Sequence, residues 1–455
     1  MPKAMTLKRK DIDTAEKRRK YTIGILGHGQ KSLTHACLFA NAGFKVVYAD
    51  ADHNIANQIE KGKISSSTQQ INALLNNHIR GGRLAAERSI RKATSASDII
   101  ISSIPATINK KEKPDYSRIA TACKEAGLSL SSGHLFISTS ITGPGVTEGL
   151  VKETLENASG LKAGKDFGLA YSPISKQVLK HAPTDKIVVG ATDERSLQAA
   201  CLVLDTVTTG RIVTVRDIRT AETAKLFEKI YEDVNIALTN ELASFCEKAG
   251  IDIIEAQKAL NKNPHQHLSL PQLIGGHAMA SLHLLNDEAE ALNTKLRLVA
   301  LAGGINEGMV NHAVRLVKDA LRACGKNLRR AKISVFGVSC RRNTRETERS
   351  LVKKLVEALK RRGGHVSIYD SMLPYGELVE MGYPTEMTLT KTVEKSDCLI
   401  IAVGHDRFRR LNLRRIKFLM KKPAAIVDMG RVIDPDKAEK EGFVYRGVGR
   451  GVWTR

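Results

Sequence analysis

Three short stretches hold residue types at spacings that can do chemistry. Gly27-His28-Gly29-Gln30-Lys31-Ser32 is a GxGxxS loop. Such a loop lets a pyrophosphate reach backbone N–H groups at the positive end of a helix. Gly27 serves the tight turn and Gly29 the close approach, while Ser32 stands where a third glycine would govern helix packing. Asp50 follows near the offset expected of an acid that grips an adenosine ribose. Its charge repels a 2′-phosphate, so the constellation favours NAD over NADP. The second stretch, Gly275-Gly276-His277, has the frame of a catalytic turn, yet the next residue is Ala278. A methyl group is not a nucleophile. The third is the pair Lys225 and Lys229, one helical turn apart on one face. Either both point into a cleft, where repulsion drives one toward a neutral amine able to act as a base, or Lys229 extends to solvent.

These residues need elements to hold them. "YTIGILGHG" reads as a buried strand running into the glycine loop, and "SLTHACLFANAGF" as the helix behind it. "KVVYADAD", "SDIIISSI", "HLFISTSI", "KIVVG" and "RIVTV" are further strands, most of them alternating with helical stretches. This pattern predicts a parallel, doubly wound sheet through about residue 215. "RTAETAKLFEKIYEDVNIALTNELASFCEKAG" has no Pro and no internal Gly, and predicts one long helix carrying both lysines. Helical character continues to about residue 325, with a break expected at Gly303-Gly304. Strands resume with "AKISVFGVS", "HVSIYD", "CLIIAVG" and "AAIVDMG", with a helix over "LVKKLVEALKRRGG". The fold class is therefore α/β: a basic tail (1–20, expected mobile), a Rossmann-type dinucleotide domain (21–215), a central helical domain (216–325) and a smaller Rossmann-like domain (326–455).

The chain has 455 residues, enough for two or three cores. No apolar run is long enough to span a membrane, and the N-terminus lacks the apolar middle of a signal peptide. The seven cysteines include no CxxC, which argues for reduced thiols in a cytoplasm and against structural zinc. The net charge of +23 is uneven. Residues 1–20 carry eight basic and three acidic residues, and residues 326–455 carry 29 and 15. "RFRRLNLRRIKFLMKK" (407–422) is the strongest candidate for a nucleic acid or an anionic surface, although it contains no recognisable RNA-binding motif.

Ordered along the chain, "FANAGFKVVYAD", "STSITGPGVTEGL", "SGLKAGKDFGLAYSP", "TAETAKLFEKIYEDVNIALTNELA", "GGH", "GINEGMVNHAV" and "YRGVGRG" resemble the UDP-glucose/GDP-mannose (nucleotide-sugar) dehydrogenase family. The glycine-proline loop is about two residues longer than that pattern. The resemblance implies NAD as cofactor, a UDP- or GDP-linked sugar as substrate and a homodimer through the central helices. In that family a cysteine after GGH captures an aldehyde, so that an alcohol becomes a carboxylate at the expense of two NAD. The matching position here is Ala278. The family's glutamate after "SP" is Ile174, its asparagine after the helix lysine is Lys229, and its aspartate after the cysteine is Leu282. Lys225 and Thr139 are retained; the resemblance assigns Thr139 to holding the catalytic water. On the substrate side Gly275 and Gly276 match, and the family's C-terminal lysine becomes Arg341. Its D-x-R-E-S-P segment becomes "RETERSL", with charges shifted around Glu348 and Arg349. These replacements predict a protein that binds NAD and a nucleotide sugar but does not complete the four-electron oxidation. Two alternatives stay open: a two-electron oxidoreductase using Lys225 as acid/base, and a non-catalytic binder of nucleotides, nucleic acid or anionic surfaces.

Overall fold

The structure is a computed structural model that describes residues 4–50, 57–59, 69–109, 111–174, 186–208, 210–273, 277–347 and 350–453. It comprises two compact units. Unit 1 holds residues 1–228 and 283–295, and unit 2 holds 229–282 and 296–455.

Unit 1 is built on an eight-stranded sheet. Its strands are β1 (Thr22–Gly27), β2 (Lys45–Asp50), β3 (Leu84–Glu87), β4 (Ile99–Ser102), β7 (Leu135–Ser138), β8 (Gly168–Tyr171), β9 (Ile187–Ala191) and β10 (Ile212–Thr214). The intervening β5 (Thr107–Ile108) and β6 (Pro114–Asp115) pair only with each other. The order is β10-β9-β8-β7-β4-β1-β2-β3. From β3 to β8 every neighbour is parallel, and β9 then enters antiparallel to β8. The wholly parallel sheet expected from sequence is corrected at that edge. Buried apolar runs reveal that a strand is covered on both faces, but not the direction in which it runs.

Helices α1 (Gln30–Asn41), α2 (Gln69–Arg80), α3 (Ile90–Ser95), α4 (Ser117–Gly127), α5 (Lys152–Ser159) and α6 (Glu194–Asp205) accompany this sheet. Residues 4–20, expected from composition to be mobile, are seated on unit 1. Ala4, Met5, Leu7 and Ile12 are buried in or against the core. The Arg18 guanidinium donates to the Ile12 and Ala42 carbonyls, both at 2.7 Å. A few apolar side chains at suitable spacing anchor a segment whose composition is otherwise polar.

The long helix predicted from sequence is present as α7 (Ile218–Ala249). It is followed by α8 (Ile253–Leu260), α9 (His277–Ala291) and α10 (Arg297–Ala323). The break expected at Gly303-Gly304 is absent, because α10 runs straight through. The interruption falls instead between α9 and α10, where Asn293 takes a left-handed conformation (φ 52°). A Cβ on Gly303 would lie 3.2 Å from Leu282 Cδ1, so this glycine admits a close neighbour rather than ending a helix.

Unit 2 carries a second sheet of β11 (Lys332–Phe336), β12 (His365–Tyr369), β13 (Cys398–Ile401), β14 (Ala425–Asp428) and β15 (Val444–Gly447), all parallel, in the order β12-β11-β13-β14-β15. Its helices are α11 (Leu351–Arg361), α12 (Tyr375–Glu380), α13 (Leu389–Val393), α14 (Leu413–Leu419) and α15 (Pro435–Lys440). Among the described residues no helix is long and apolar enough to cross a membrane.

Candidate active site

The glycine loop sits at the carboxyl end of β1, beside the end of β2, with α1 leaving it. Its shape is set by three polar side chains behind it. The Ser32 hydroxyl donates to the Gly29 carbonyl at 2.7 Å and accepts from the His28 N–H at 3.1 Å. It also lies 2.8 Å from the Tyr48 hydroxyl. A Cβ on Gly27 would come within 2.5 Å of both hydroxyls, so only glycine fits there. Ser32 is fully buried and shapes the loop from beneath.

Asp50 ends β2 and is buried. Its Oδ2 accepts from the Gly29 N–H at 2.9 Å and from the Tyr48 hydroxyl at 2.5 Å. Gly29 has φ 78°, and a Cβ built on it would meet nothing within 4 Å. Beside it His28 Nδ1 is buried without a partner among the described residues, while Nε2 faces Arg118 Nη1 at 3.0 Å. A backbone with open space in front of it, an unsatisfied imidazole nitrogen and a nearby guanidinium form a cradle suited to a pyrophosphate. The residues present therefore fit NAD: Gly27–Gly29 could hold the phosphates and Asp50 could reach a ribose. Arg118 and Tyr48 were not identified from sequence. No motif marks Arg118, which arrives from α4.

Thr139 follows β7 and is buried. Its hydroxyl donates to the Ser102 carbonyl at 2.9 Å, which leaves the oxygen free to accept. The next loop, Thr142–Thr147, is held by Glu222 on α7. The Glu222 carboxylate is fully buried and accepts from the Thr142 hydroxyl (3.0 Å) and from the N–H groups of Gly145 (2.6 Å) and Thr147 (2.9 Å). Burial raises its pKa, and these donors only partly offset that. The Tyr116 hydroxyl accepts from the Gly143 N–H at 3.1 Å. Lys225 lies three residues beyond Glu222, with its side chain 9% exposed and its Nζ 2.7 Å from Glu228 Oε1.

Ile174 packs in the hydrophobic core of unit 1. Ala278 lies in the first turn of α9, Gly275 and Gly276 lie outside the described residues, and so do Glu348 and Arg349. The unit 1 part of α9 is tied down by ion pairs: Asp287 and Glu290 hold Lys113, and Glu288 holds Arg219 at 2.7 Å.

In unit 2, Lys229 is paired with Glu232 at 2.8 Å, and Leu282 is buried. Asp233, also unremarked in the sequence, is buried with Oδ2 lacking a hydrogen-bond partner among the described residues. Its pKa is pushed up to about 7, by burial first and by Glu232 second, against the pull of Lys229 and Arg341. Arg341 is exposed on the loop after β11, close enough to be felt at that carboxylate.

That loop also frames a buried imidazole. His405 Nδ1 accepts from the Asn343 N–H at 2.9 Å. Nε2 therefore carries the proton, facing Asp370 Oδ2 at 3.3 Å and Ser339 Oγ at 3.2 Å. Burial would raise the Asp370 pKa, but His405 and the backbone donors of Met372 and Val338 bring it below the usual value. Nearby, burial lowers the Arg431 pKa to about 10; Arg409 and Arg342 push the same way and Asp428 opposes them. Several guanidinium groups thus gather around the carboxyl ends of β11, β13 and β14. The order of strands reverses direction between β11 and β13, which is where such sheets place ligands.

Three sequence models of one family match in succession. The NAD binding domain matches residues 21–208, the central domain 219–308 and the UDP binding domain 334–435. The chain belongs to the UDP-glucose/GDP-mannose dehydrogenase family. It is 29% identical over 435 residues to the UDP-N-acetyl-D-mannosamine dehydrogenase of Pyrococcus horikoshii, covering 94% of this chain and 99% of that one. The enzyme of the same name from Methanocaldococcus jannaschii is 28% identical over 438 residues, covering 94% of this chain and 96% of that one. A solved structure of the P. horikoshii UDP-D-ManNAc dehydrogenase superposes with a TM-score of 0.83 at 27% identity, over 95% of this chain and all of that one. This nucleotide-sugar dehydrogenase family member thus has the family's NAD domain at the glycine loop described above, and its UDP domain at the second sheet.

Proposed function

We propose that this family member binds NAD and a UDP-linked N-acetylhexosamine, and does not carry the sugar through the cysteine-dependent four-electron oxidation. The observation that supports this most directly is Ala278 at the start of α9, where the family's pattern has its nucleophile. The other replacements point the same way. Ile174 is part of the core and Leu282 is buried, so neither position offers a proton acceptor. The thiols elsewhere are poor substitutes, since burial pushes Cys37 and Cys123 up to about 12 and Cys201 to about 11.

Binding is supported by what remains. The Gly27–Ser32 loop and Asp50 suit the dinucleotide. The Arg341, Arg342 and Arg431 side chains supply positive charge where a diphosphate would lie. UDP-N-acetylmannosamine is the first candidate ligand because the similar curated proteins are named for it.

Turnover by two electrons is the second reading. Bound NAD supplies a hydride acceptor. An alcohol then needs only a proton acceptor from this chain, and Lys225 Nζ is the group placed to take that proton once it has passed its own to Glu228 Oε1, 2.7 Å away.

Calorimetry with NAD, NADP and a panel of UDP- and GDP-sugars tests binding, and absorbance with mass spectrometry tests turnover. Binding without NADH supports the first reading. One NADH and an aldehyde would support the second. Two NADH and a uronate would overturn both.

A homodimer fits the same proposal. Within unit 2, Tyr231, Leu238, Leu242 and Phe245 are exposed along one face of α7, and Leu298 and Leu301 along α10. An apolar stripe of this kind calls for a partner. Phe245→Glu should shift a dimer toward monomer in analytical ultracentrifugation; an unchanged sedimentation profile would remove this face from consideration.

A further inference from the structure

Apart from Arg409, which faces Arg431 at the candidate site, the basic stretch 407–422 has no part in the dehydrogenase reading. It contains eight Lys or Arg and no Asp or Glu. It folds as a 3-10 turn (Asp406–Arg410) followed by α14, on the surface of unit 2. Two adjoining grooves run along it. One, of about 600 Å³, is lined by Arg407, Arg410, Asn412 and Arg415 over an apolar floor of Leu389, Ile416 and Leu419. The other, of about 510 Å³, is lined by Arg414, Arg415, Lys417, Phe418 and Lys422. Asn412 and Arg415 line both, so the two join into one track.

The charges along this track are unspent. Asp406 is on its rim but is already held by Arg342, Asn343 and Arg409. Glu441 is the other acid on the track. Among the described residues Arg407, Arg410, Arg414, Arg415 and Lys422 have no ion-pair partner. Like charges crowded at a surface repel, and a polyanion relieves that repulsion while releasing its own counterions. Phe418 is 81% exposed in the middle of this cluster. A lone exposed ring ringed by cations is suited to stacking on a planar base. Apart from Phe418 no large apolar residue of the stretch is so exposed, and the track is concave. Both features fit a chain better than a flat lipid surface.

We propose that this track binds single-stranded nucleic acid, with the arginines along its phosphates and Phe418 stacked on a base. The proposal is independent of the dehydrogenase reading. No sequence-specific contact is implied, since phosphates and stacking are sequence-tolerant.

The test is fluorescence anisotropy of labelled 20-nucleotide single-stranded RNA and DNA with the full chain. Four phosphate contacts predict a salt slope near −2.8, or roughly a fiftyfold loss of affinity between 50 and 200 mM salt. Arg410→Glu with Arg415→Glu should weaken binding more than tenfold and flatten the slope. Phe418→Ala should weaken it at least fivefold with the slope unchanged, because stacking contributes about 1–3 kcal/mol per base. All three side chains are exposed, and thermal melts of the variants verify folding. A parallel variant, Arg9→Glu with Lys10→Glu, should bind as wild type. Absence of oligonucleotide binding overturns the proposal. So does binding lost through the Arg9/Lys10 variant instead of the groove variants, or groove-dependent binding to phosphatidylserine vesicles without binding to oligonucleotide.

Discussion

Glu222 Oε1 accepts the Thr147 backbone N–H at 2.9 Å, and so ties the Thr142–Thr147 loop to the helix that carries Lys225. With Thr142 and Gly145, the fully buried carboxylate satisfies three donors.

Glu222→Ala would leave those three donors unmatched, at about 1–3 kcal/mol each. A loss of about 3 kcal/mol or more is expected in urea unfolding. Glu222→Gln keeps one acceptor and should lose less. Wild-type stability in the alanine variant would mean that the loop is held by something else.

Asp233 makes a pH-dependent contribution whose sign follows from its raised pKa. An unfolded aspartate has lost its proton above about pH 4, whereas in the folded chain Asp233 keeps it until about pH 7. The folded state therefore binds the extra proton between those values, and stability falls as pH rises through 7. At about 1.4 kcal/mol per unit the cost reaches a few kcal/mol at pH 8. Asp233→Asn should raise the urea midpoint at pH 8 and lose that advantage toward pH 4. An equal gain at both pH values would count against a titrating Asp233.

Asp50 bonds both the glycine loop and, on our reading, a ribose. Asp50→Ala should weaken NAD in calorimetry by roughly tenfold or more, as for a lost hydrogen bond to a charged group, and should weaken NADP much less. Equal losses for the two dinucleotides would place its effect entirely in the Gly29 N–H.

Restoring a thiol should not restore the enzyme. Ala278→Cys leaves Ile174, Lys229 and Leu282 in place, and groups that act as a unit do not return one at a time. With NAD and UDP-N-acetylmannosamine, UDP-glucose or GDP-mannose, no uronate is expected by mass spectrometry. Uronate from this single variant would show that a cysteine was the only missing part.

Most of the strands were legible because each is an uninterrupted apolar run next to a glycine or a polar turn, as at Ile23–Gly27 and Cys398–Ile401. The glycine loop and Asp50 were legible because their chemistry is local. Glu222 was not, since its partners lie 75 to 80 residues upstream. The alanines on either side of it in "TAETAK" are the one hint of burial. Asp233 was hidden in the same way, inside a helix whose pattern reads as ordinary amphipathic sequence. Gly303-Gly304 misled because a helix tolerates glycine at a cost of about 1 kcal/mol each, offset where a neighbour such as Leu282 needs the room.

The seating of residues 4–19 also changes how the protein meets other molecules. Arg9, Lys10 and Arg19 ride on a segment anchored by Met5, Leu7 and Ile12, and Arg18 is pinned to the backbone of unit 1. A loose basic arm would reach out, sweep a wide volume and capture an oppositely charged molecule before docking it. A seated one presents its charge at fixed points and has no ordering entropy left to lose on contact. Encounters at this end are thus governed by the static field of unit 1, with a capture radius set by the Debye length and not by the reach of a tether.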